Sequence, residues 1–326
     1  MKNTDNQQDQ WLLNINFDLL MDLRIYYAFK LLFSKGDPRL LISLLSAIFA
    51  NKKIKRVIKS LTIKNPYLDK ESDEDKLSIL DIRAELDDGT NILIEMHLYG
   101  LIELKSKTVR AWARVYAEDL EVGGKYADQP PTVIIAFADG QIRPLANAKK
   151  SVRDKIHRCC MIVDIEDFDI FTDAMELHYI DMKAFAEAVN EKGSINIDDT
   201  EEVMFAKWLS VITQKEITNK AIIEDAYKDE EEIKMAVSTL VRHSEDKYKR
   251  QAYQRRKDDI YFYNKEKLEY ESKLEQERGR AEQERSRAEQ ERNRAEQEQL
   301  RAEEAEATIA DQAKLIAKLQ SLLNEK

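Results

Sequence analysis

The sequence predicts an α/β head followed by a long charged helix. Three observations predict it. Up to about residue 160 the apolar residues switch between helical and strand spacing, in the order helix, helix, strand, strand, strand, helix, strand. Two alternating runs flank Asp87-Asp88-Gly89, the pattern of a hairpin. From Arg280 to Ala307 the units RAEQERS, RAEQERN, RAEQEQL and RAEEAEA follow one another with a period of seven.

Residues 1–15 are polar and read as a disordered N-terminus. Residues 16–160 form the α/β core. There, DLRIYYAFKLLF reads as an amphipathic helix ending near SKGDP. Asp37 is placed to cap a second helix, with Pro38 at its first position and Leu40, Leu41, Leu44, Leu45 and Ile48 on one face. RVIKSLTIKNPYL leads out as a short strand or extended segment, and the hairpin follows. SKTVRAWARVYAEDLEVG reads as the next helix, closed by Gly123 and Gly124. PPTVIIAFAD is almost wholly apolar after two prolines, which fits a strand buried on both faces. Residues 161–268 read as a helical region completing the core. Residues 269–326 read as a heptad-repeat helix or coiled coil.

In that tail Leu274, Ala281, Ala288, Ala295, Ala302, Ile309, Ile316 and Leu323 occupy one heptad position. A coiled coil wants two apolar positions, and the second is missing until Ile309–Leu323. The tail therefore reads either as a homo-oligomerisation element through that last stretch or as a solvated helix or flexible tail.

The chain has 326 residues, enough for a sizeable core, and a net charge of -10. Phosphate contact on an acidic chain must come from local basic patches. Asn51–Ser60, Lys149–Arg158 and Lys247–Lys257 are the candidates, and each reads equally as the solvated face of a helix. The two cysteines, Cys159 and Cys160, are adjacent, which excludes a disulfide framework and fits a reducing, cytoplasmic setting. HRCC lacks a second cysteine or histidine pair, so these are expected to be inert thiols. No signal-peptide core or membrane-length apolar run occurs.

The chemistry concentrates in SILDIRAELDDGTNILIEMHLYG (Ser78–Gly100). With Gly89 in the left-handed position, Leu86 faces Thr90, Ile82 pairs with Ile94, and Asp81 falls opposite Glu95 with His97 on the same face. Opposed side chains have Cβ atoms about 5 Å apart. Two carboxylates that close repel unless a cation joins them. Mg²⁺ takes one or two carboxylates plus water and phosphate oxygens, and such a site activates water against a phosphodiester. The same alternation also describes a half-exposed strand, with Arg83 neutralising Asp81 and Glu85.

AFKLLFSKGDPRLLISLLSAIF, KLSILDIRAELDDGTNILIEMH, VRAWARVYAEDLEVGGKYADQPPTVIIAF and EEIKMAVSTLVRHSEDKYKRQAYQRRKDD occur in this order. Together they resemble the PD-(D/E)XK nuclease family of transposases, also called the Rpn or recombination-promoting nuclease family, over roughly Ile25 to Tyr263. The resemblance implies a restriction-endonuclease-like fold, a mixed sheet flanked by helices. It implies DNA as partner and DNA cleavage dependent on Mg²⁺ or Mn²⁺. It places Asp81 and Glu95 as metal ligands and His97 at the position of the motif lysine, where this family usually has glutamine. Arg110 and Tyr116 match a helix packed beside the site, with Arg110 and Lys76 as candidate phosphate or DNA contacts. Tyr26 stands where the family often carries an acidic residue. With His97 it motivates the alternative, a degenerate nuclease fold that binds DNA or acts through its coiled coil.

Overall fold

A computed structural model describes residues 15–50, 54, 56–64, 82–98, 101–118, 125–140, 156–196 and 203–324. It divides into two units, 1–259 and 260–326.

The first unit opens with helix α1 (Tyr26–Phe33) and helix α2 (Pro38–Phe49). Asp37 caps α2 by accepting the Arg39 N–H, and Leu40, Leu41, Leu44, Leu45 and Ile48 are buried along one face. Strands β1 (Leu61–Lys64), β2 (Ile82–Leu86) and β3 (Asn91–His97) follow. Helix α3 (Leu101–Glu118) returns along the sheet to β4 (Thr132–Ala138). All seven residues of β4 are buried, as its unbroken apolar run requires.

The next two elements differ from the helices expected after residue 160. They are strands, β5 (His157–Val163) and β6 (Ile170–Asp181). The cause is tertiary. In β6 the apolar Leu177 and Tyr179 face one side, while Glu176 and His178 are buried on the other. Polar partners there satisfy side chains that break the apolar strand pattern. Helices α4 (Met182–Lys192), α5 (Val203–Ile212), α6 (Lys220–Tyr227) and α7 (Glu231–Glu245) complete the layer, and α8 begins at Lys247.

The six strands order as β1-β2-β3-β4-β6-β5. The β3/β4 and β4/β6 pairs are parallel and the others antiparallel. The result is the expected mixed sheet flanked by helices, a restriction-endonuclease-like α/β fold. One face is covered by α3, through Leu104, Ala111 and Val115 against Leu93, Ile134, Ala136, Leu177 and Tyr179. Thr108 of α3 meets the Tyr179 hydroxyl at 2.7 Å on that face. The other face carries the helical layer: Phe29 of α1 lies 5.7 Å from Phe137 of β4, and Phe33 lies 5.5 Å from Trp208 of α5.

The second unit is the remainder of α8, helical to Asn324. It contains the heptad repeat, in which Arg292 Nε donates to Glu296 Oε1 at 3.1 Å. Ile309 and Ile316 are 65% and 56% exposed. No helix among the described residues is long and apolar enough to cross a membrane.

Candidate active site

The β2–β3 hairpin sets the site. Gly89 adopts φ 86°, the left-handed conformation expected of it. The Leu86 N–H donates to the Thr90 carbonyl at 2.9 Å and the Gly89 N–H to the Leu86 carbonyl at 3.0 Å. Asp88 accepts the Thr90 N–H. Asp87 accepts the N–H groups of Lys59 and Ser60, and the Lys59 bond is the main reason its carboxyl is held below the usual range. Ile82 pairs with Ile94 and Arg83 with Leu93, the register expected from the turn.

Successive β3 side chains alternate about the sheet, so Leu93, Glu95 and His97 share the α3 face. Glu95 stands beside Ala136 and His97 beside Ala138. Tyr179 and Asp181 come next across the sheet. His97 Nε2 lies 2.8 Å from Glu95 Oε2, with side chains 18% and 14% exposed. An ionised carboxylate only accepts, so Nε2 carries the shared hydrogen. Nδ1 is then the ring nitrogen able to take up a proton.

Asp81 and Lys76 lie outside the described residues. Arg83 donates to Glu118 of α3 at 2.9 Å, and Glu85 is held by Lys64 at 2.7 Å. Arg110 is on the exposed side of α3. Tyr116 stacks on Trp112 with ring centroids 5.1 Å apart, and its carbonyl accepts from the Gln129 side chain. Gln129 precedes β4, whereas Glu95 and His97 sit toward that strand's end. Tyr116 is therefore a contact at the opposite end of α3 from the pair.

The carboxyl ends of parallel strands are where open α/β sheets present chemistry. β3, β4 and β6 bring His97, Asp139 and Asp181 to that edge. The Asp139 N–H donates to the His97 carbonyl at 2.9 Å. Burial pushes the Asp139 carboxyl up, against the opposing charge of Arg24. Burial likewise pushes Asp181 up, although it accepts the Ala184 N–H at 2.9 Å and caps α4. Arg24 ties this edge together, 2.8 Å from Asp22, 3.7 Å from Asp139 and 2.5 Å from Glu216. Asp139 had a visible signal, a carboxylate closing the apolar run PPTVIIAFAD. Asp181 had none, because β6 was not legible as a strand.

Two further placements bear on charge. Tyr26 lies beneath the Arg256 guanidinium, 4.4 Å from the ring centroid. Arg56, which opens the segment expected to be extended and belongs to a basic run that also reads as solvated, is non-helical, 6% exposed at its side chain and ion-paired with Glu176.

No curated protein and no solved structure matches the chain. A family model described as PD-(D/E)XK nuclease family transposase matches residues 23–271, which takes in the whole sheet and the helices that flank it. The chain belongs to the PD-(D/E)XK nuclease family of transposases.

Proposed function

We propose that this chain is a divalent-metal-dependent DNA endonuclease of the recombination-promoting (Rpn) type, with the cation held by Asp81 and Glu95. The observation that carries the proposal is the Glu95–His97 pair on the α3 face of β3, in a chain of nuclease family. The β2/β3 register supports the partner: paired numbers sum to 176 in Ile82–Ile94, as Asp81 and Glu95 also do.

The donors fit Mg²⁺ or Mn²⁺. Glu95 is a partly exposed carboxylate with one oxygen on His97, leaving Oε1 for a hard, oxygen-seeking cation. When bound, the cation supplies Lewis acidity toward a phosphodiester oxygen. The chain's own residues do the rest. Glu95 orients the His97 ring and keeps a hydrogen on Nε2. His97 Nδ1 then accepts a proton from the attacking water, as general base.

Plasmid nicking in Mg²⁺ or Mn²⁺ tests this. Asp81→Ala and Glu95→Ala each abolish nicking in the proposed enzyme. Undiminished cleavage by both variants overturns it.

One observation favours a second reading, a degenerate nuclease fold that binds DNA without cutting. Tyr26 fills an often acidic family position and engages Arg256. That reading predicts binding that weakens steeply with salt and no turnover with any metal.

The exposed Ile309 and Ile316 support pairing of the heptad helix with a second copy of this chain. Sedimentation tests it: the full chain is a homo-oligomer, and removal of residues 271–326 leaves a monomer. Neither Cys159 nor Cys160 is in a disulfide, which supports a cytoplasmic setting.

A further inference from the structure

We propose that Cys159, Glu176 and His178 form a second metal site, on the sheet face away from Glu95 and His97, which takes a zinc-like transition metal rather than Mg²⁺. Neither the proposed cleavage site nor its cation enters this inference.

Topology brings the three donors together. Glu176 and His178 are two apart on β6 and project to the same face. The antiparallel neighbour β5 sets Cys159 directly opposite His178. Cys159 Sγ lies 3.5 Å from Glu176 Oε1 and 4.0 Å from His178 Nε2, and that nitrogen lies 2.7 Å from Oε1. Ligand atoms of a tetrahedral zinc, with bonds of roughly 2.0–2.3 Å, stand about 3.3–3.8 Å apart. The observed separations bracket that range. Small side-chain rotations open the Nε2–Oε1 contact to admit an ion.

The donor types select the metal. Thiolate, imidazole and carboxylate suit zinc, whereas Mg²⁺ demands oxygen. The surroundings supply what a metal site needs around its ligands. Arg56 holds Glu176 Oε2 and leaves Oε1 turned to the cluster. His157 Nε2 lies 2.8 Å from His178 Nδ1 and fixes the ring. Phe49 stands edge-on to His178 at 5.3 Å, and Phe205 lies 5.0 Å from His157. Glu176 and His178 are fully buried, while Cys159 is exposed on the edge strand and gives the ion its entry.

Proton accounting is simple. The Cys159 thiol loses its proton and binds as thiolate. The hydrogen of His178 passes from Nε2 to Nδ1, which then donates to His157 Nε2, whose own hydrogen moves to its Nδ1. One proton leaves per metal bound.

The test is Co²⁺ titration of the full chain, read by near-ultraviolet absorption. A thiolate-to-cobalt charge-transfer band is expected at one equivalent, and Zn²⁺ should abolish it. Cys159→Ser removes the band and Cys160→Ser keeps it. Glu95→Ala also keeps it, which separates this site from the proposed nuclease site. A second readout uses the wild-type chain. Zn²⁺ slows alkylation of Cys159 about tenfold, through loss of the free thiolate, and leaves Cys160 at its zinc-free rate. Absence of the band in the folded wild type, its survival in Cys159→Ser, or equal alkylation with and without Zn²⁺ overturns the proposal.

Discussion

His97 meets Glu95 through Nε2, at 2.8 Å, two residues along the same strand and on the same face. With an ionised Glu95 that bond keeps the ring hydrogen on Nε2, and the proposed mechanism uses Nδ1 as the base. Replacing His97 with alanine is expected to lower nicking by about 10²- to 10⁴-fold, the usual contribution of a positioned base. His97→Gln keeps a hydrogen bond to Glu95 but cannot take up a proton. It should therefore fall as far as alanine if histidine is the base. Nicking rates for both variants across pH check this. A glutamine variant as fast as wild type would show that the position only orients water.

Thr108 and Tyr179 fasten α3 to the sheet, hydroxyl to hydroxyl at 2.7 Å, and both are buried. Thr108 Oγ1 also lies 3.0 Å from the Leu104 carbonyl. Thr108→Val keeps the shape and leaves the Tyr179 hydroxyl without this partner. The expected cost is about 1–3 kcal/mol. Tyr179→Phe in the same chain removes the orphan and should recover part of it. Denaturant melts of the two single variants and the double variant give the coupling. Strictly additive losses would mean that the two hydroxyls do not interact.

Gly89 is the hinge of the hairpin, at φ 86°, and an added Cβ would meet Pro130 Cβ at 3.8 Å, ordinary contact. The penalty for Gly89→Ala is therefore conformational rather than steric, about 1–2 kcal/mol. Gly89→Asn should cost less, because asparagine tolerates the left-handed region. Equal losses for the two substitutions, measured by urea titration, would argue that something other than φ restricts the position.

The hairpin was legible because turn chemistry and period-two alternation are local. Asp87-Asp88-Gly89 sets the loop, and the loop sets the register of Ile82 with Ile94. The Asp37 cap and the β4 run were legible for the same reason. β6 was not. Its alternation puts Glu176 and His178 where a strand pattern calls for apolar residues, and the groups that make their burial tolerable come from far along the chain. Arg56 is one, and its placement in a basic run gave no hint that it would leave solvent. Cys159 is another: its spacing to its neighbours held no metal pattern, because the residues it joins lie on a different strand.

Arg56 and Glu176 form a buried ion pair, with side chains 6% and 0% exposed. Burial alone would raise the Glu176 carboxyl. The hydrogen bond from His178 and the Arg56 guanidinium outweigh it, so the carboxyl is held below the usual range. A carboxyl lowered in the fold binds its proton less readily there than in the unfolded chain. Its contribution to stability is therefore present above the unfolded value and is lost as pH falls through the folded one. Arg56→Met removes one partner and strands a buried carboxylate, at a cost of about 3–5 kcal/mol near neutrality. Acid lessens that cost, because a protonated Glu176 no longer needs the guanidinium. The gap in melting temperature between wild type and Arg56→Met should narrow steadily from pH 7 toward pH 3. A gap that stays constant over that range would show that Arg56 acts through packing against Phe49, whose ring it overlies at 5.4 Å, and not through its charge.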